Sequence, residues 1–360
     1  MRVLITAALA ALALAACGGG SDGAKSTPTP SAAANQADLG AIKAYLLEHT
    51  ERLKQSTAQL QADAEAYYAL AESSGFDYGK LLETKRPEVA AAVKKIQDDH
   101  IKANPDYEEM EGVVAGVPEL ADFDVILDAG GDKSDPENAV PFSLTTPAGK
   151  KYEQPGNFFA LIETSAFGTE PKFIAKGVKP DLDGDGTVTF PEALPDADFI
   201  VTAARDFAKN ANDLDAAAGK WEPNLQDAFT AVVVMTPTMS EYFGAWKNSR
   251  FVAGDKAEEK GFVATSRLSD IRDILGGIVL IYDSIQPSVE KVNADQAQQT
   301  KTDLAKLHQF AGRLLGEEEA GKRFTPSDAD TLGSEAQRNA EAIAGQVSQA
   351  AGQLGLKLED

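Results

Sequence analysis

Apolar residues recur at three- and four-residue steps over most of the chain, and period-two alternation is nearly absent. Leu39, Ile42, Leu46, Leu53, Leu60, Tyr67 and Leu70 trace one such stripe, so the spacing predicts a long helix over 37–74. His49, Ser56 and Asp63 occupy alternate steps of the same stripe. Inward polar residues on a bundle helix either line a buried site or are hydrogen-bonded core residues. A second helix is predicted over 87–102, with Val89, Val93, Ile96 and His100 on one side, and Pro105 should interrupt it before another begins over 107–114. Residues 128–157 carry Gly130, Gly131, Pro136, Pro141, Pro147 and Pro155 and read as loop, followed by a short buried helix over 157–167. The stretch 168–195, again rich in glycine and proline, reads as an insertion. Helices are then expected near 196–218, 222–247, 266–286, 295–315 and 327–354, with ends marked by Gly219, Pro223, Gly254, Pro287 and Pro326. The pattern predicts an all-α fold of long antiparallel helices in one or two packed bundles.

The first residues depart from this pattern. Arg2 precedes a run of apolar and small residues from Val3 to Ala16, too short to span a membrane, which takes about 20 apolar residues. It reads as an export signal over 1–16. The run ends Leu14-Ala15-Ala16-Cys17, which resembles a bacterial lipoprotein signal whose cysteine becomes the lipid-bearing N-terminus. Cys17 is the single cysteine of the chain, so there is no intrachain disulfide and no cysteine-based zinc site. Residues 17–36, rich in Gly, Ser, Thr, Pro and Ala, read as a flexible tether, leaving 37–358 as the helical domain. The expected location is the bacterial cell envelope, on the periplasmic face or the cell surface, with membrane contact through the N-terminal lipid only.

Charge narrows the partners. The 360 residues include 34 basic and 56 acidic side chains and 3 histidines, for a net charge of -22. A field of that sign repels phosphate, which excludes nucleic acid, and favours cations.

One segment gives those cations an address. Asp181, Asp183 and Asp185 stand at positions 1, 3 and 5 of a twelve-residue EF-hand-like loop, with Gly186 at the turn. Thr187 offers a carbonyl at position 7, Thr189 a hydroxyl at 9, and Glu192 a bidentate carboxylate at 12, while Val188 fills the apolar position 8. Calcium is the expected ion, because a hard cation takes six to eight oxygens. Gly177 and Pro180 before the loop, and Pro191 and Pro195 after it, break the flanking helices that a sensor needs. The expected role is therefore a structural calcium that ties down the insertion.

Catalytic signatures are missing. None of the three histidines is followed three residues later by glutamate, and there is no His-Glu-x-x-His pair, nucleophile elbow or glycine-rich phosphate loop. Nothing in the residues compels a catalytic reading.

Three segments together resemble the imelysin family of exported, mostly α-helical bacterial proteins, which includes iron-uptake components of the Efe type. They are His100 to Glu111 with Tyr107, Asn157 to Gly168, and Ser266-Arg267-Leu268-Ser269-Asp270 with Gly276, Gly277 and Tyr282. They occur in the family's order, and the similarity spans about 37–356 apart from the insertion. The family's Gly-x-His-x-x-Glu, associated with metal binding and a proposed peptidase activity, falls on the second segment. Ala160 stands at its histidine and Glu163 at its glutamate. The resemblance implies a second metal site drawn from Glu111, Glu163, Asp270, Arg267 and Tyr107, with His100 or His49 as substitutes for the lost imidazole. An oxygen-only site suits Fe(III), Mn or Ca better than Zn or Cu. The other reading of the same residues is a set of buried arginine–carboxylate contacts. The function so implied is a lipid-anchored metal-binding accessory of iron uptake, with a permease or receptor as partner and without catalysis. A calcium-stabilised surface interaction protein and a metallopeptidase-like hydrolase are the alternatives.

Overall fold

The computed structural model describes residues 37–358; the export signal, Cys17 and the tether lie outside the described residues. The described residues form a compact, almost wholly helical unit. Helix α1 (Leu39–Ser73) and helix α2 (Tyr78–Val114) pack as an antiparallel hairpin, each started by an aspartate, Asp38 and Asp77, whose side chain accepts a first-turn amide. Leu46, Leu53 and Leu60 of α1 are fully buried, each contributing about 1.5–3 kcal/mol. The polar residues on the same stripe meet polar residues of α2 and line no cavity. His49 Nδ1 lies 3.0 Å from Glu109 Oε2, Ser56 meets Asp106, and Asp63 accepts Lys95 Nζ at 3.1 Å.

A short helix α3 (Ala121–Asp124) runs into a π-helical turn, Val125–Ala129. A two-stranded hairpin follows, β1 (Ser143–Thr145) with β2 (Lys151–Glu153), in the register Leu144 opposite Tyr152. Helix α4 (Phe158–Ala166) packs on α2 and on α5 (Ala197–Lys220), which lies along α1. Phe158 and Phe159 of α4 meet Phe207 of α5 at 5.9 and 4.8 Å between ring centres. The second half comprises α6 (Leu225–Met235), α7 (Met239–Asn248), the short α8 (Arg250–Ala253), α9 (Arg267–Val292), α10 (Ala294–Glu319) and α11 (Pro326–Gln353). The two halves meet where α2 packs on α9. Gly277 makes that approach close, since a Cβ there would sit 2.4 Å from the Glu109 carbonyl oxygen.

Three expectations about proline need correction. Pro105 does not interrupt α2, and Pro287 does not end α9. A proline removes the bond to the carbonyl four residues earlier. Those carbonyls belong to Ile101 and Asp283, both exposed residues, so water can take the vacated acceptor. Pro87 follows a non-helical Lys85 (φ −141°) and so sits near the start of a restarted helix, where it is tolerated. Conversely, the single helix expected over 222–247 is split by the 3₁₀ turn Thr236–Thr238 around Pro237. Among the described residues no helix is long and apolar enough to cross a membrane.

Candidate metal centre

The α2–α9 seam places five carboxyls and one guanidinium together. Helix α2 presents Glu108 and Glu111 three residues apart, hence on one face, with Asn104 a turn earlier. Helix α9 presents Arg267 and Asp270 with the same spacing. Asp124 and Asp128 come from the start and the body of the π-helical turn, a local widening of the helix common at functional positions. The turn's exit is held by Asn157, whose Nδ2 donates to the Gly130 carbonyl while its Oδ1 caps α4 through the Ala160 amide.

Arg267 is the cation of this group. Its Nη1 lies 3.0 Å from Asp270 Oδ2 and 3.5 Å from Glu108 Oε1, and its Nη2 lies 4.0 Å from Asp128 Oδ2. The guanidinium also lies 4.5 Å from the ring centre of Tyr242 and 4.4 Å from that of Phe262. Asn104 donates to Asp270 at 2.7 Å, Tyr242 OH to Glu111 at 2.7 Å, and Tyr107 OH to Asp124 at 2.7 Å. The group is nearly dry: Glu108, Glu111, Arg267 and Asp270 are 1%, 4%, 6% and 0% exposed.

Glu108, Glu111 and Asp128 each turn one oxygen to a common point, with those oxygens within 4.8 Å of one another. Glu108 Oε2 and Glu111 Oε2 are buried and accept no hydrogen bond. A buried carboxylate oxygen without a donor is costly unless a proton or a cation fills the gap. Burial, followed by the charges of Asp270, Asp128 and Glu111, pushes the Glu108 carboxyl well above the usual carboxylate range. Asp124 is raised by burial and by Glu111 and Asp128. Burial likewise lifts Asp128 to about 7 despite Arg267, and Asp270 is raised for the same reason.

The residues expected at this site are thus partly reassigned. Glu111, Asp270 and Arg267 belong to it, and Tyr107 reaches it through Asp124. Glu163 spends both oxygens elsewhere: Oε1 accepts the Val263 and Ala264 amides at 2.9 Å each, and Oε2 accepts the Phe262 amide at 2.6 Å. Burial opposes ionisation of Glu163, but the contact with His100 and those amides outweigh it and hold its carboxyl below the usual range. His100 of α2 does reach Glu163, with Nε2 at 3.8 Å from Oε1. His49 lies apart, against Tyr45 and Glu109, and burial with the nearby Arg52 lowers its pKa to about 4. Glu108, Asp128, Asp124 and Tyr242 were not among the expected residues. The Glu108/Glu111 spacing was a readable signal, but it is one of many acidic pairs in this chain.

The predicted calcium loop has a different character. Asp181 Oδ1 accepts the Gly184 amide at 2.8 Å and its Oδ2 the Gly186 amide at 3.2 Å; Asp183 accepts Asp185, and Asp185 accepts Thr187. Glu192 folds back over the loop, accepting the amides of Leu182, Asp183 and Thr189. One oxygen each of Asp181, Asp183 and Asp185 lies within 4.8 Å of the others. Arg86 of α2 pairs with Asp181 at 3.2 Å. No helix flanks the loop, and Val188, expected as an apolar anchor, is 43% exposed. An EF-hand buries that residue against a second loop, and this loop has no such partner among the described residues. Amide hydrogen bonds from Thr189 and Asp183 lower the Glu192 carboxyl.

The sequence pattern of the Imelysin family (peptidase M75) matches residues 41–350, and the chain belongs to that family. No curated protein matches the chain.

Proposed function

We propose that this imelysin-family protein is a metal-binding protein of the cell envelope, held by a lipid on Cys17, that serves iron uptake as an accessory and carries out no catalysis. The observation that supports this reading is the convergence of one oxygen each from Glu108, Glu111 and Asp128 in a cluster where Glu108 and Glu111 each also have a buried oxygen without a donor. An all-carboxylate set suits a hard ion such as Fe(III) or Mn(II). Iron is here the cargo. Glu108, Glu111 and Asp128 are its ligands, Tyr242 and Arg267 orient them, and Asp124 and Asp270 complete the negative field. The loop Asp181–Glu192 takes calcium with a structural role. A peptidase role is not proposed: Ala160 replaces the family imidazole, and no histidine touches the carboxylate cluster. A permease or receptor in the same membrane would receive the ion.

The test is metal content and titration of the purified protein with Fe(III) citrate and Mn(II), repeated on the Glu108→Gln/Glu111→Gln double variant. One equivalent bound by the parent, and at least a tenfold weaker affinity in the variant, is the expected result. Equal affinity in both proteins would move the ion elsewhere. A second reading is favoured by Arg267, whose guanidinium lies within 4.0 Å of three of the carboxylates. There the cluster is a structural ion-pair network in a calcium-stabilised interaction protein, and neither metal binds.

A further inference from the structure

Glu108, Glu111 and Asp270 of the carboxylate cluster are buried, while Asp124 and Asp128 are half-buried, so an ion reaches the inner oxygens most readily if something covering them moves. Helices α2 and α9, which carry the cluster, keep their own hydrogen-bond ladders. One covering segment has none: residues 257–266, between the 3₁₀ turn Gly254–Lys256 and α9, are irregular. The segment is attached at a few points. The amides of Glu258 and Glu259 donate to the Asn248 carbonyl. The Lys260 carbonyl accepts Thr169 Oγ1 at 2.7 Å, and Lys260 Nζ meets Glu170 at 2.6 Å. Beyond Lys260, the consecutive amides of Phe262, Val263 and Ala264 all end on the single carboxylate of Glu163. Gly261 lets the loop come this close, since a Cβ there would lie 3.3 Å from Glu163 Oε2. Phe262 holds a left-handed backbone (φ 52°), uncommon for a bulky residue, and its ring covers the Arg267 guanidinium that touches Glu108, Asp128 and Asp270.

We infer that residues 257–266 form a lid over the carboxylate cluster and that Glu163 is its latch, not an ion ligand. The inference rests on the metal-site reading for its purpose, but the latch stands on geometry alone. A carboxylate has about four lone-pair sites, and three backbone donors fill most of them in the closed state; the same three bonds are what a moving lid must break. His100 sits behind the latch at 3.8 Å. The position that supplies a metal-motif glutamate in the family resemblance thus supplies a positioning residue here, acting through the lid.

Two readouts on Glu163→Gln separate latch from ligand. Hydrogen exchange reports the lid directly: the amides of 262–264 should exchange at least tenfold faster in the variant, because a carboxamide offers one acceptor and presents an NH2 to the other donors. Mn(II) binding, followed by the electron paramagnetic resonance of the free ion, should keep its Kd within threefold while association and dissociation both speed up about tenfold. Unchanged exchange with a Kd weakened tenfold or more would make Glu163 a ligand and overturn the inference. If the parent binds no Mn(II), the metal-site reading fails, and the exchange result still decides the latch. Should Glu163→Gln lose its helical circular dichroism, Phe262→Ala carries the test: faster exchange of 263–264 supports the lid, and parental rates overturn it.

Discussion

Two clusters of carboxylates lie in this chain, one at the surface in Asp181–Glu192 and one at the seam of α2 and α9. In the loop every carboxylate is met by backbone amides, and Glu192 is held below its usual range by those amides. In the seam the carboxyls share one guanidinium, two of their oxygens have no donor, and Glu108, Asp124, Asp128 and Asp270 are all raised. The same chemical groups are therefore cheap to hold ionised in one place and expensive in the other. A local motif can arrange the first; only the packing of distant helices produces the second. An ion leaving the loop returns it to solvated carboxylates, whereas an ion leaving the seam must be replaced by protons.

The contrast is tested most severely at Arg267. Replacing it by methionine keeps most of the buried volume and leaves Glu108, Asp128 and Asp270 without their cation. Loss of one partner of a buried ion pair costs about 3–5 kcal/mol. Urea unfolding of Arg267→Met should show a loss of that size, whereas Arg86→Met, which removes the cation beside Asp181 at the surface, should lose less than about 1 kcal/mol. Equal losses in the two variants would erase the distinction between the clusters.

Acidity gives the next largest difference. Glu108, Asp124, Asp128 and Asp270 bind protons more tightly in the folded chain than in the unfolded one. The stability they confer is complete below the unfolded value of about 4 and is lost as pH rises through the folded value, about 7 for Asp128. Loop carboxylates such as Glu192, lowered on folding, act in the opposite sense and have given their full contribution by about pH 5. Between pH 5 and 8, with chelator present, the protein should therefore lose about 2–4 kcal/mol. Asp128→Asn should flatten the slope. A stability that rises over this window would mean that the seam is ionised at little cost.

How far these features are legible in the sequence follows from the same distinction. The clustering of Asp181, Asp183 and Asp185 was legible because these residues are neighbours in the chain, and the helices because their stripes are local. Pro105 and Pro287 misled because exposure of Ile101 and Asp283, which makes those prolines tolerable, is a tertiary fact. The seam was half legible. Glu111, Arg267 and Asp270 came through the family resemblance, but Asp124 and Asp128 lie in a segment that reads only as the edge of a loop. The contacts of Glu163 were not legible, because no pattern in the sequence says that amides about 100 residues away would donate to it.

A smaller effect is expected at the loop. If calcium binds there, millimolar calcium should raise the melting temperature of the parent, by about 2.7 kcal/mol of stabilisation at a hundredfold excess over Kd. Asp181→Asn/Glu192→Gln should abolish the rise while leaving Mn(II) affinity at the seam unchanged. Loss of Mn(II) binding in that variant would merge the two clusters into one system.

The smallest effect comes from a pair between the two extremes. Asp63 of α1, which is buried, and Asp99 of α2, which is half-buried, face each other. Asp63 already accepts Gln59 at 2.6 Å and Lys95 at 3.1 Å, and is lowered by them despite its burial. Asp99 has a buried oxygen without a donor, and burial followed by the charge of Asp63 lifts it to about 6. A proton on Asp99 would complete a hydrogen bond to Asp63, so the pair favours the folded state below about pH 4 and loses that contribution as pH rises through about 6. Asparagine at 99 supplies the missing donor permanently through its NH2. Asp99→Asn should therefore melt about 2 °C higher than the parent at pH 7.5 and at the parental temperature at pH 4. Partial exposure screens this pair, so its gain should stay below the change that Asp128→Asn produces in the dry seam. A larger gain at Asp99 than at Asp128 would show that burial does not set the cost of these carboxylates.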